Sequence, residues 1–166
     1  QTLITDWRKL WKNQEMPFYF VQLAGYLKPS YCQPDSEWAA LRNAQAKALK
    51  LPHTGMATAI DLGNPADIHP RNKQDVAHRL ALIAMAQDYG QDVTCRAPAL
   101  SKAESNGDRI ILTFDGELKP TSVAVTGFII SDGKGNFAPA YGRLTGERTI
   151  ELSSPKVPRP TVVRYN

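Results

Sequence analysis

The run Phe18-Tyr19-Phe20-Val21-Gln22-Leu23 is nearly continuous in apolar side chains. A strand of that kind is buried on both faces, which is the habit of parallel sheets covered by helices on each side. Its surroundings agree. Leu3, Trp7, Leu10 and Trp11 recur at helical spacing, so residues 2–13 read as an amphipathic helix that Pro17 stops. After a loop containing Pro and Ser, Ser36 can cap a helix with Trp38, Leu41, Gln45, Ala48 and Leu49 along one side. Residues 56–61, Met-Ala-Thr-Ala-Ile-Asp, form a second short buried-strand candidate. A third helix is expected to begin near Pro70, with Val76, Leu80, Ile83 and Ala84 inward, an Asp75–Arg79 pair on its surface, and Gly90 at its end. Trp7, Trp11 and Trp38 lie on apolar helix faces and are expected in the core. The order helix, strand, helix, strand, helix implies a parallel sheet, yet two strands are too few for a stable one. The missing strands are expected upstream of Gln1.

From about residue 92 the pattern changes. Short β-rich runs occupy Arg109 to Phe114, Ser122 to Ile130, Thr149 to Ser153 and Thr161 to Tyr165. Turn signals separate them: Asn106-Gly107, Asp115-Gly116 and Asp132-Gly133-Lys134-Gly135-Asn136. A small antiparallel β-sandwich over residues 91–166 is the expected result, following an α/β part over residues 1–90. No internal repeat is evident.

Composition narrows the function classes. Hydrophobic residues make up 42% and charged ones 22%, a globular balance. The formal charge of +4 is spread along the chain without a basic run, which argues against a nucleic-acid partner. No apolar stretch approaches the ~20 residues of a membrane span, and no signal peptide is visible. Cys32 and Cys95 have no metal-ligand spacing and read as two lone buried thiols, with a single disulfide as the alternative.

The densest polar constellation is Asp61-Leu62-Gly63-Asn64-Pro65-Ala66-Asp67-Ile68-His69-Pro70. It follows a strand candidate and precedes a helix, the carboxyl edge where open α/β folds bind ligands. A histidine there with a carboxylate two residues earlier suits a general base whose imidazole is oriented by an acid. The plainer alternative is a polar loop in which His69 and Asp67 cap the helix. His53 reads as a turn residue and His78 as a solvated helix residue. No pair of His or Cys has metal-ligand spacing, and no cofactor motif is present. None of the serines lies in a Gly-x-Ser-x-Gly, Gly-Asp-Ser or Gly-Gln-Ser block, so the chain carries no nucleophile of that kind.

The stretch from Asp61 to Leu80 resembles the C-terminal signature of sialate O-acetylesterase-like proteins, members of the SGNH (GDSL-like) hydrolase superfamily; Asp-Ile-His-Pro-x-x-Lys is its most specific part. Asp6-Trp7-Arg8 and Pro17 to Ala24 are similar to the segment after that family's Trp-x-Gly-Glu-x-Asn block. Gly127-Phe128, Phe137-Ala138-Pro139-Ala140 and Val163-Arg164-Tyr165 resemble its terminal β-domain. The resemblance implies the C-terminal part of a flavodoxin-like three-layer α/β/α SGNH domain followed by the β-sandwich. It implies a serine esterase that removes acetyl groups from sugars, typically 9-O-acetyl sialic acid, with His69 as base and no cofactor. The serine, Gly and Asn that attack and stabilise the oxyanion would come from an N-terminal segment of the same enzyme. The superfamily spaces its acid and base as Asp-x-x-His, whereas here the spacing is Asp67-x-His69. Asp67 is the first choice for the orienting acid and Asp61 the fallback, with a backbone carbonyl as a further option. The implied setting is secreted, periplasmic or lysosomal. The competing classes are a non-catalytic carbohydrate-binding or interaction module, disfavoured by the lack of an obvious aromatic cluster in the β-rich half, and a degenerate homologue.

Overall fold

The computed structural model describes residues 1–119 and 124–165. Two compact units divide the chain: Gln1–Pro29 with Glu37–Arg96, and Ser30–Ser36 with Ala97–Asn166. In the first unit α1 (Thr2–Leu10), β1 (Phe18–Val21), α2 (Glu37–Ala46), β2 (Thr54–Ala57) and α3 (Lys73–Gln87) follow one another, the mixed α/β order expected. Strands β1 and β2 pair in parallel, from Phe18 opposite Thr54 to Val21 opposite Ala57. Strand β1 is half-buried and ends exposed at Val21, instead of being covered on both faces. Its end is held by a side chain. Gln45 of α2 accepts from the Leu23 amide at 2.9 Å and donates to the Val21 carbonyl at 3.4 Å. The Val21 carbonyl belongs to the last paired residue and the Leu23 amide lies past it, and the Gln45 amide satisfies both.

Helix α3 lies against β2 because Gly55 has no side chain. A Cβ there would sit 2.3 Å from Cγ2 of Ile83, and Ile83 is buried. The helix begins at Lys73, three residues later than Pro70 predicts, since Asn72 supplies the cap. The Asn72 Oδ1 accepts from the Asp75 amide at 3.1 Å while its Nδ2 donates to Asp75 Oδ2 at 2.7 Å. Asp75 is thereby drawn into the cap, and Arg79, its expected ion-pair partner, turns elsewhere. Gly90, at φ +63°, gives the left-handed turn just past the helix end.

Helix α1 is oriented against its apolar periodicity. Leu3, Trp7, Leu10 and Trp11 are 65%, 49%, 77% and 66% exposed, whereas Ile4 and Arg8 are buried. Trp7 and Trp11 are therefore not core residues in this unit. Trp38 fits the expectation better: it is half-buried, tilts against Tyr26 at 5.7 Å and donates to the Ala24 carbonyl. The buried guanidinium explains the orientation of α1. Arg8 donates through Nε to Met16 O at 3.0 Å, and through Nη2 to Pro52 O at 2.8 Å and His53 O at 3.3 Å. One planar fork closes both turns that lead into β1 and β2. Arg8→Ala leaves those carbonyls without a donor and is expected to destabilise by about 1–3 kcal/mol. Arg8→Lys should recover only part of that, because a single ammonium does not reproduce the fork. Denaturant unfolding of the two variants checks both statements.

The second unit is antiparallel throughout. One sheet has the order β3 (Leu100–Asn106), β4 (Arg109–Phe114), β8 (Thr149–Ser153), β7 (Tyr141–Gly146), and the other β6 (Phe137–Pro139), β5 (Phe128–Ser131), β9 (Val162–Tyr165). Ile110, Leu112, Ile150 and Leu152 from the first sheet and Ile130 and Ala138 from the second form one buried cluster. Gly107, Gly133 and Gly135 take positive φ values in the anticipated turns. Strand β5 begins later than the expected run, whose Ser122 and Val123 lie outside the described residues. Cys32 and Cys95 are free and half-buried, not buried.

Candidate active site

The polar loop leaves the carboxyl end of β2 through a short 3-10 turn, Ile60–Leu62. Its course is fixed by backbone proximity. A Cβ on Gly63 would fall 2.0 Å from the Gly25 carbonyl oxygen, so the loops following the two parallel strands touch main chain to main chain. Asn64 then folds the chain back: its Oδ1 accepts from the Ala66 amide at 2.9 Å and its carbonyl from the Asp67 amide at 3.2 Å. This Asx-type turn presents Asp67 to the residues that follow it.

Asp67 and His69 come together. Asp67 Oδ1 accepts the His69 backbone amide at 2.9 Å and lies 3.5 Å from His69 Nδ1. The amide hydrogen bond, aided by the imidazole, holds the Asp67 carboxyl below the usual carboxylate range. The 3.5 Å approach is loose for a hydrogen bond. The His69 side chain is 85% exposed, so its ring is open to a reacting group. An imidazole with Nδ1 against a carboxylate keeps Nε2 as the atom able to accept a proton.

Asp61 is not part of that pair. It meets Arg79 of α3 in a two-pronged contact, Nη1 to Oδ1 at 2.7 Å and Nη2 to Oδ2 at 2.6 Å, while Nη1 also donates to the Thr58 carbonyl at 2.7 Å. The Arg79 guanidinium lowers the Asp61 pKa. Arg79 thus ties the end of β2 and the start of the loop to α3. Four-residue spacing on a helix pairs Arg79 with Asp75, the local option, whereas the Asp61 contact spans 18 residues. Nothing in local spacing signals such a contact.

The other candidates lie apart. His53 precedes β2, at the opposite end of that strand from the loop, and its Nε2 is 2.5 Å from Glu15 Oε2. His78 is exposed on α3. In the second unit Ser131 and Ser154 are buried, and Ser101 Oγ donates to the Thr113 carbonyl. Among the described residues there is no group of three His, Cys, Asp or Glu that could hold a metal ion, and no helix is long and apolar enough to cross a membrane.

No family model matches the chain. Curated proteins do. The mouse (Mus musculus) sialate O-acetylesterase is 38% identical over 136 residues, and that of the rat (Rattus norvegicus) 35% over 135. Each alignment takes in 70% of this chain and 25% of the relative. A solved carbohydrate acetylesterase from Xanthomonas citri superposes with a TM-score of 0.85 at 39% identity, over 98% of this chain and 38% of its own. The chain belongs to the sialate O-acetylesterase-like family. It spans about a quarter of the length of the curated family members it matches. The structural likeness to the bacterial acetylesterase covers nearly all of the chain and so takes in parts of both units.

Proposed function

We propose that the chain supplies the general base of a carbohydrate O-acetylesterase whose serine nucleophile lies outside these 166 residues. The observation that carries this reading is the His69–Asp67 pair, exposed on the loop after a parallel strand, in a chain of this family. In the proposed cycle the serine Oγ attacks the acetyl carbonyl carbon and passes its proton to His69 Nε2. The tetrahedral adduct collapses, the sugar–oxygen bond to the acyl carbon breaks, and the departing oxygen takes the proton from His69. A water, deprotonated by the same nitrogen, then attacks the acetyl carbonyl; the bond from the serine oxygen to the acyl carbon breaks, acetate leaves, and the serine oxygen takes the proton back from His69. Oxyanion donors would come from the serine loop and from a Gly and an Asn, again outside this chain. The cycle needs no cofactor.

The same reading makes β1 and β2 part of a larger three-layer α/β/α sheet, and the two antiparallel sheets of the second unit a small sandwich. The exposed apolar face of α1 supports it, since four large apolar side chains on one helical stripe are what another element covers. Acetylated glycans are met in secreted, periplasmic or lysosomal settings, and one of these goes with the proposal. The full-length enzyme is expected to release acetate from a 9-O-acetylated sialoside, read by an acetate assay. Binding of the sugar with no release of acetate from any O-acetylated glycan would leave a binding module instead.

The role of Asp67 has its own test. Asp67→Asn is expected to lower kcat for an aryl acetate about tenfold or more, because an amide facing Nδ1 favours the wrong tautomer. Asp61→Asn should cost turnover less, its carboxylate being occupied by Arg79. The opposite ranking would give the role to Asp61, and little effect from either would give it to a backbone carbonyl or water.

A further inference from the structure

The outward face of the four-stranded sheet carries a polar hollow of about 290 Å³, lined by Arg109, Tyr141, Gly142, Arg143, Glu151 and Ser153. Its composition follows from strand alternation. Ile110, Leu112, Ile150 and Leu152 point into the core, so Arg109, Glu151 and Ser153 between and beside them point out. On the neighbouring edge strand β7, Tyr141 lies opposite Ser153 and Arg143 opposite Glu151. Glu151 is the floor, its side chain 19% exposed, and both guanidinium groups converge on one of its oxygens. Arg109 Nη1 is 2.5 Å from Oε1, and Arg143 reaches the same oxygen with Nε at 3.2 Å and Nη2 at 3.0 Å. Arg109 Nε also approaches Asp108 Oδ1 at 3.3 Å, outside the hollow. The lining therefore holds two cations against one carboxylate. Beside them Tyr141 is 73% exposed.

We propose that this hollow binds a carboxylate-bearing sugar residue of a glycan, separately from the ester-cleaving loop. An exposed tyrosine ring offers the flat apolar face on which the C–H side of a pyranose rests, and its hydroxyl supplies a polar handle. A guanidinium anchored through part of its donor set keeps N–H groups for a second carboxylate, which a planar fork meets in two-pronged fashion. The volume is at the small end for ligand sites, suited to one monosaccharide unit. A cross-strand ion pair serving only the sheet would contribute little at such exposure and has no need of a bare aromatic ring. The proposal does not depend on where the nucleophile lies.

The test titrates 3′-sialyllactose, a glucuronate-ended disaccharide and lactose into the full-length enzyme and its variants. At least one acidic sugar is expected to bind in preference to lactose. Arg143→Gln and Tyr141→Ala should each weaken that binding about tenfold or more, a loss that a single charged or stacking contact accounts for, while Tyr141→Phe retains most of it. Turnover of an aryl acetate, which carries no sugar, should not change in any of them, and unfolding midpoints check that the variants are folded. Acidic-sugar affinity that is unchanged in folded Arg143→Gln and Tyr141→Ala would overturn the proposal. So would lactose binding as tightly as the acidic sugars, or no sugar binding at all.

Discussion

Replacing His69 by Ala in the full-length enzyme is expected to lower kcat for an aryl acetate by at least about 100-fold, since a positioned general base contributes about 10²–10⁴. The side chain's environment makes this a clean experiment. The His69 side chain is 85% exposed, and its Nδ1 lies 3.5 Å from Asp67. Removing it opens no cavity and strands no buried group, so stability should move by no more than about 0.5 kcal/mol, as for most surface substitutions. The backbone amide that binds Asp67 survives in the alanine variant, so the loop keeps its main anchor. A loss of turnover with an unchanged unfolding midpoint would then be chemical in origin. Turnover close to that of the parent, with intact folding, would remove His69 from the mechanism and with it the reason for placing the site on this loop.

The second large effect concerns the 166 residues expressed alone, which are expected to be inactive as an esterase and to aggregate. Inactivity follows because the imidazole has no activated hydroxyl to serve: no serine of this sequence sits in a nucleophile motif. Aggregation follows from two surfaces of the first unit. Leu3, Trp7, Leu10 and Trp11 form an exposed apolar stripe on α1. The parallel sheet has two strands among the described residues, and each has one neighbour in it, which leaves unpaired backbone edges that template association. The second unit is differently placed, because its two sheets share a buried apolar cluster of their own. Circular dichroism of the isolated chain should therefore retain strand signal. Co-expression with the remainder of the enzyme is expected to restore solubility and acetylesterase activity together. A soluble, monomeric product that hydrolyses aryl acetates unaided would contradict this.

Much of the fold was legible because local chemistry decided it. Thr149–Ser153 alternates polar and apolar cleanly, Arg109–Phe114 is rich in apolar residues between two turn signals, and both strands have those limits. Asn106-Gly107 announced the hairpin between β3 and β4, yet β3 itself escaped notice because Leu-Ser-Lys-Ala-Glu-Ser-Asn is exposed along its whole length and has no apolar face to read. Likewise β7 carries two glycines and an outward Tyr and Arg, a poor strand by composition that pairing with β8 holds in place. The orientation of α1 departs from its apolar pattern for a plainer reason. Periodicity locates an apolar stripe but does not say what covers it, and the buried side of this helix is set by Arg8 reaching three distant carbonyls. Within the loop, the nearness of Asp67 to His69 was readable from their spacing. The occupation of Asp61 by Arg79 was not, since it depends on how α3 lies across Gly55.

Reaction of the full-length enzyme with a fluorophosphonate, followed by peptide mass spectrometry, tests the central claim most directly. Such a reagent forms a stable bond to a serine oxygen only where a base activates it. The expected adduct is on one serine outside residues 1–166, formed rapidly in the parent and at least about 100-fold more slowly in the His69→Ala variant. An adduct on any serine within residues 1–166, or labelling at the same rate without His69, would contradict the account.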